Sequence, residues 1–162
     1  MRSLAIHLLA LATMAVALPA QPPALEIQLP GQRTVSIAQA RLRTLAGDTV
    51  RLVPHHGEPT LYRATSLATV MAAVGLPLDS LRVGRNAWTI IAEARDGYRV
   101  VFSVAELDPK LGPSRVWLAY ETTSGPIAAA EAPYRLIVPT DARLARSIHQ
   151  LVRLRVVDAA GG

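Results

Sequence analysis

The chain has 162 residues, enough for one domain with its own core. It carries 17 basic and 12 acidic residues for a formal charge of +5, and every basic residue except Lys110 is arginine. With no cysteine it has neither disulfide support nor a thiolate for a soft metal. Nucleic-acid binding wants a dense basic stripe interleaved with stacking rings. Here the arginines are scattered between apolar positions, and the only aromatic residues are four tyrosines, two tryptophans and Phe102, which sets that class aside.

Met1-Arg2-Ser3 carries one positive side chain, and Leu4 to Leu18 is apolar apart from Thr13 and the ionisable His7. This run of about fifteen residues is shorter than the ~20 a spanning helix needs, and Pro19, Pro22 and Pro23 follow it. Residues 1–20 therefore read as a secretory signal, with small residues for cleavage at Ala15-Val16-Ala17 or Leu18-Pro19-Ala20. The expected location is periplasmic or secreted, with no membrane span in the mature chain. Residues 21–24 read as a linker, 25–158 as the domain and 159–162 as a tail.

Leu25 to Leu29 alternates apolar and polar as a half-buried strand, and Pro30-Gly31 turns the chain. Ser36 with Gln39 has the spacing of a capping box and predicts a helix over 37–45, closed by Gly47-Asp48. Thr49 to Val53 and Thr60 to Ala64 read as strands joined by a His55-His56-Gly57-Glu58-Pro59 loop. Ser66 caps a helix whose Leu67, Val70, Met71 and Val74 share one face, with Gly75 and Pro77 as its stop. Trp88 to Ala92 and Tyr98 to Phe102 flank Asp96-Gly97, a two-residue hairpin signal. Ser103 and Glu106 form a second capping box, stopped by Asp108-Pro109. Val116 to Tyr120, Tyr134 to Val138 and Leu151 to Val157 are further strands, Thr122 to Glu131 is a loop, and Asp141 to Arg146 is a helical turn. In the last strand Val152, Leu154 and Val156 face one way, and Arg153 and Arg155 the other. Many short strands with few short helices predict an α+β domain, mainly mixed sheet, with no internal repeat.

Two stretches carry a family resemblance. Asp96 to Leu107 matches D-G-Y-x-x-x-F-S-x-A-E-L at every fixed position. Pro139 to Leu154 is similar to P-G-x-x-R-x-x-R-x-V-x-x-V-x-R-I, with Thr140 in place of Gly and Ala142 in place of a basic residue, while Arg143, Arg146 and Arg153 keep theirs. Over roughly Leu25 to Val157 the chain resembles the sulfite oxidase-like molybdopterin-binding domain, in its small exported members. The resemblance implies that fold, an oxidoreductase family, and a C-terminal segment that helps to hold the pterin phosphate. Enzymes of this class ligate molybdenum through a cysteine thiolate, which this chain lacks.

On a helical turn Arg143 and Arg146, three apart, would share a face near backbone donors, an arrangement that suits an oxyanion. They read either as a cofactor phosphate pocket, with Arg99 as a third contributor, or as surface arginines that are solvated or paired to Asp141 and Glu131. Asp48, Ser66 and Glu58 are the oxygen donors that would stand in for a thiolate, although each sits at a turn or cap. His55, His56 and His149 suit zinc or copper by type, but adjacent residues in extended chain point apart. No metal site is therefore assigned. Glu93 with Asp96 or Glu106 would be paired carboxylates for hydrolysis, yet hairpin and capping roles explain them. There is neither a Gly-x-Ser-x-Gly elbow nor a P-loop. The expected function is an exported anion-binding, cofactor-binding or accessory module without a cysteine-ligated molybdenum centre. The cofactor, if any, is molybdopterin, and the partner an anionic small molecule or pterin. The alternative is a molybdopterin-dependent oxidoreductase with a non-cysteine metal ligand.

Overall fold

The computed structural model describes residues 22–78, 87–111 and 115–159. The expected signal at 1–20 and residues 160–162 of the expected tail lie outside them. Alternation of side chains makes two sheets from the described strands. The larger has the order β2-β1-β9-β5-β6, from β2 (Thr34–Ile37), β1 (Leu25–Gln28), β9 (Leu151–Asp158), β5 (Trp88–Ala94) and β6 (Arg99–Ser103). Its β1–β9 pair is parallel and the others are antiparallel. The smaller is wholly antiparallel, in the order β3-β4-β7-β8, from β3 (Gly47–Leu52), β4 (Thr60–Ser66), β7 (Trp117–Thr122) and β8 (Arg135–Ile137). The domain is mixed α+β, as its sequence pattern predicts.

One face of the larger sheet buries Leu25, Ile27, Ile90, Ala92, Phe102, Leu154 and Val156 in a core shared with Leu118 and Leu136 of the smaller sheet. Helix α2 (Leu67–Ala73) adds Leu67, Val70 and Met71, and Ser66 caps it by accepting from the Thr69 amide at 3.1 Å. The smaller sheet has a second apolar side, where Val50, Leu52, Tyr62, Ala64 and Ile137 lie under Ile127, with Leu144 packed against them. At Gly47 a Cβ would lie 2.6 Å from the Ala64 carbonyl oxygen, so close pairing of β3 and β4 requires glycine there.

Three local expectations change. No helix spans 37–45: Ser36 sits exposed in β2 opposite Glu26, and α1 is the single turn Gln39–Leu42. Tertiary context decides this, because the Gln39 side-chain amide donates to the Tyr120 carbonyl rather than closing a capping box. The Asp96-Gly97 hairpin is a three-residue loop: the Gly97 amide donates to Ala94 O, the Ala94 amide to Tyr98 O, and Gly97 takes φ +87. That is a tight turn followed by a left-handed glycine. In β9 an irregularity opposite Glu93 and Ala94 puts Leu151, not Val152, in the core beside Leu154 and Val156.

Candidate functional site

The two motif stretches meet in space. Ser103 and Glu106 close the second capping box around helix α3 (Val104–Leu107), with the Ser103 amide donating to Glu106 Oε1 at 2.9 Å. The same Glu106 carboxylate receives Arg146 Nη1 at 3.3 and 3.4 Å. Asp141 receives Arg146 Nε at 2.8 Å and Nη2 at 2.7 Å, and the guanidinium lies 5.3 Å from the Phe102 ring centroid. The Tyr98 hydroxyl donates to Ala145 O at 3.0 Å. Arg146 thus clasps the C-terminal segment to the hairpin and its helix. The Asp141 hydrogen bonds, with further help from Glu106, raise its pKa above the ordinary arginine value although burial opposes this.

Arg143 does not join it. Instead of a helical turn from Asp141 to Arg146, only Leu144–Arg146 forms a 3-10 turn, and Arg143 is extended at φ −133. The shared face that three-residue spacing predicts requires a helix, so it disappears. Arg143 is exposed, with no ion pair among the described residues. Arg99 lies elsewhere again. In β6 Val100 and Phe102 point into the core, so Arg99 and Val101 face outward. There Glu26, Arg153, Glu93 and Arg99 lie side by side across four strands, with Glu93 within 3.1 Å of Arg99 Nε and Arg155 Nε and 3.5 Å from Arg153 Nη1. Arg99 and Arg146 are therefore on opposite faces of one strand. The three arginines do not converge, and two of them are held by carboxylates.

Two clefts flank the C-terminal segment. One of about 410 Å³ lies between the end of β3 through His55 and residues Val138 to Leu144, and its walls mix apolar side chains with Arg51, His55 and Asp141. The other, of about 290 Å³, lies between Asp96 and Tyr98 on one side and Ala145 to His149 on the other. Neither is lined by Arg99, Arg143 or Arg146. His55 lines the first and His149 the second, and no group of three or more His, Asp or Glu among the described residues could hold a metal. Asp48 Oδ1 accepts the Thr49 amide and Ser66 caps α2, so both act locally, and Glu58 is exposed in its loop. Glu93, Asp96 and Glu106 are no catalytic pair: Asp96 Oδ1 accepts the Tyr98 amide, and the other two are held by arginines.

One buried polar group escaped the sequence reading. The Arg135 side chain, 8% exposed, pairs with Glu131, contacts the Tyr62 hydroxyl at 3.4 Å and lies over its ring at 5.7 Å, and its Nε has no partner among the described residues. Tyr62 also donates to Glu131 at 2.8 Å. Burial pushes the Glu131 carboxyl up, but hydrogen bonds from Arg135 and Tyr62, with the Arg135 and His149 charges, outweigh it and the net shift is downward. The signal the sequence offers is an arginine inside the otherwise apolar run Tyr134 to Val138. Comparison with known proteins adds no family: no family model and no curated protein matches the chain. Among the described residues no helix is long and apolar enough to cross a membrane.

A molybdopterin centre is poorly served by these side chains. There is no thiolate, the oxygen donors are engaged or exposed, and the guanidinium expected to meet a phosphate is held by two carboxylates.

Proposed function

We propose that the chain is an exported accessory module of the sulfite oxidase-like molybdopterin-binding fold, binding an anion or a partner without a cysteine-ligated molybdenum centre. The observation that carries this reading is the condition of Arg146. Its place in the motif is that of an anion ligand, yet Asp141 and Glu106 occupy its donors. In support, the motif from Asp96 to Leu107 folds as hairpin and capped helix, and no sulfur donor except methionine exists in the chain. Within the motif, anion contact then falls to Arg143, which is exposed between Ala142 and Leu144, two residues of the first cleft wall.

The experiment is expression in a host that makes molybdopterin, with export signal intact, followed by molybdenum analysis and pterin fluorescence after acid oxidation. Neither molybdenum nor pterin is expected at stoichiometric level, and N-terminal sequencing should find the mature chain starting near residue 21. A stoichiometric molybdenum centre with turnover on an artificial acceptor would refute the accessory reading in favour of an oxidoreductase using an oxygen ligand. Phosphate should perturb the amides of residues 142–144, and Arg143→Ala should abolish that response.

A further inference from the structure

We propose that the free edge of β3 is a docking site for an extended segment of a partner protein in which acidic and apolar residues alternate. The inference is independent of the family reading above. β3 ends the smaller sheet, and no described strand pairs with its outer side. Its register shows which backbone groups are open. Leu61 O accepts the Thr123 amide, so Leu61 and Arg63 direct their backbone groups to β7, while Thr60, Tyr62 and Ala64 face β3. Their partners Leu52, Val50 and Asp48 are thereby paired, and Thr49 and Arg51 turn their groups outward. The Thr49 amide is taken by Asp48 Oδ1 at 2.7 Å, which leaves the Thr49 carbonyl and both backbone groups of Arg51 open among the described residues.

The two sides of this edge differ in chemistry. On one side Val50 and Leu52 are buried, and the cleft of about 410 Å³ opens beside Leu52, Val53 and Pro54, with Arg51 at its rim. On the other side Arg51 lies diagonal to Arg63, whose guanidinium shares the Glu121 carboxylate with Arg43. Arg43 and Arg63 share that one carboxylate, and Arg51 has no ion pair among the described residues. An added strand presents alternate side chains to these two sides. Its apolar residues would enter the cleft, and its carboxylates would meet Arg51 and Arg63. Charge argues against a second copy as the occupant, because β3 against β3 would bring two such arginine sets together.

The test is a nuclear magnetic resonance titration of the full chain with a capped synthetic peptide of about seven residues, alternating glutamate with valine or leucine. Shifts confined to residues 49–55 and 138–144, with slowed exchange of the Arg51 amide, are expected. Arg51→Glu with Arg63→Glu should weaken binding about tenfold or more, and a lysine-for-glutamate peptide should not bind. Arg51→Gln should weaken binding only a few-fold, whereas Arg51→Pro, which removes the outward donor, should abolish it. Equal binding by those two variants would overturn strand addition. So would shifts elsewhere, peptide-independent dimerisation, or adhesion to phosphatidylglycerol vesicles in place of the peptide.

Discussion

Removing Arg146 gives the sharpest measure of what this arginine does. Arg146→Ala deletes two hydrogen bonds to Asp141 at 2.7 and 2.8 Å, two longer ones to Glu106, and a ring contact at 5.3 Å. The side chain is 33% exposed, between a surface pair at about 0–1 kcal/mol and a buried charge-assisted bond at about 1.5–3 kcal/mol. Taking about 1–2 kcal/mol for the carboxylate contacts and about 0.5–1 for the ring contact gives roughly 1.5–3 kcal/mol. Two carboxylates then face each other without their cation, which favours the upper end. For a chain of this size that is a urea midpoint lower by about 1–2 M and a Tm lower by about 5–10 °C. Urea titrations followed by the fluorescence of Trp88 and Trp117 would measure it. Arg146→Lys, which keeps charge but not the two-pronged geometry, should recover about half of the loss. Arg143→Ala should stay within about 0.5 kcal/mol of the parent. Equal small effects at 143 and 146 would refute the clasp, and with it the claim that Arg146 is unavailable to a ligand.

Glu131→Gln should cost about 2–3 kcal/mol in the same titrations, because it leaves a buried Arg135 charge without its carboxylate. The downward shift of Glu131 also sets a pH dependence: its contribution is complete above the ordinary carboxylate pKa and disappears as pH falls through the lower folded value. Urea midpoints should therefore fall on acidification, less steeply in the Gln variant. Glu93→Ala leaves Arg99, Arg153 and Arg155 together with Glu26 holding only Arg153 among the described residues, so it should destabilise by about 1–2 kcal/mol at low salt and less in 0.5 M salt (roughly 4 Å of screening length). Gly47→Ala should lower the melting temperature, at a cost of about 1–3 kcal/mol, because its Cβ meets the Ala64 carbonyl backbone at 2.6 Å and the strands must part.

Local chemistry was legible in this sequence at several places where both partners lie within a few residues. Ser66 with Thr69, Ser103 with Glu106 and the glycine of Asp96-Gly97 all act where their spacing puts them. The helix over 37–45 fails on the same principle. Ser36 and Gln39 have the right spacing, but pairing of β2 with β1 and the bond from Gln39 to Tyr120, 81 positions away, offer the backbone more than one isolated helical turn does. The strand order of the two sheets was not legible, since β1 finds its parallel partner β9 across nearly the whole chain.

The same range bears on the candidate site, where Arg146 pairs with Asp141, as one sequence reading allowed, and also with a carboxylate far along the chain. Arg146 is bound to Glu106 from 40 positions away, Arg153 to Glu26 from 127 and Arg43 to Glu121 from 78. Spacing rules see only neighbours on one element, so they cannot tell a guanidinium already held by a distant carboxylate from an open one. Net charge cannot tell them apart either. The surplus of +5 is a property of the whole chain, whereas ligand capacity belongs to the arginines that folding leaves unpaired. Among the described residues Arg99, Arg146, Arg153 and Arg155 are engaged by acids, while Arg51 and Arg143 are not. A search for anionic or acidic partners therefore belongs at the edge of β3 and beside residue 143, rather than at the arginine pair that spacing singles out.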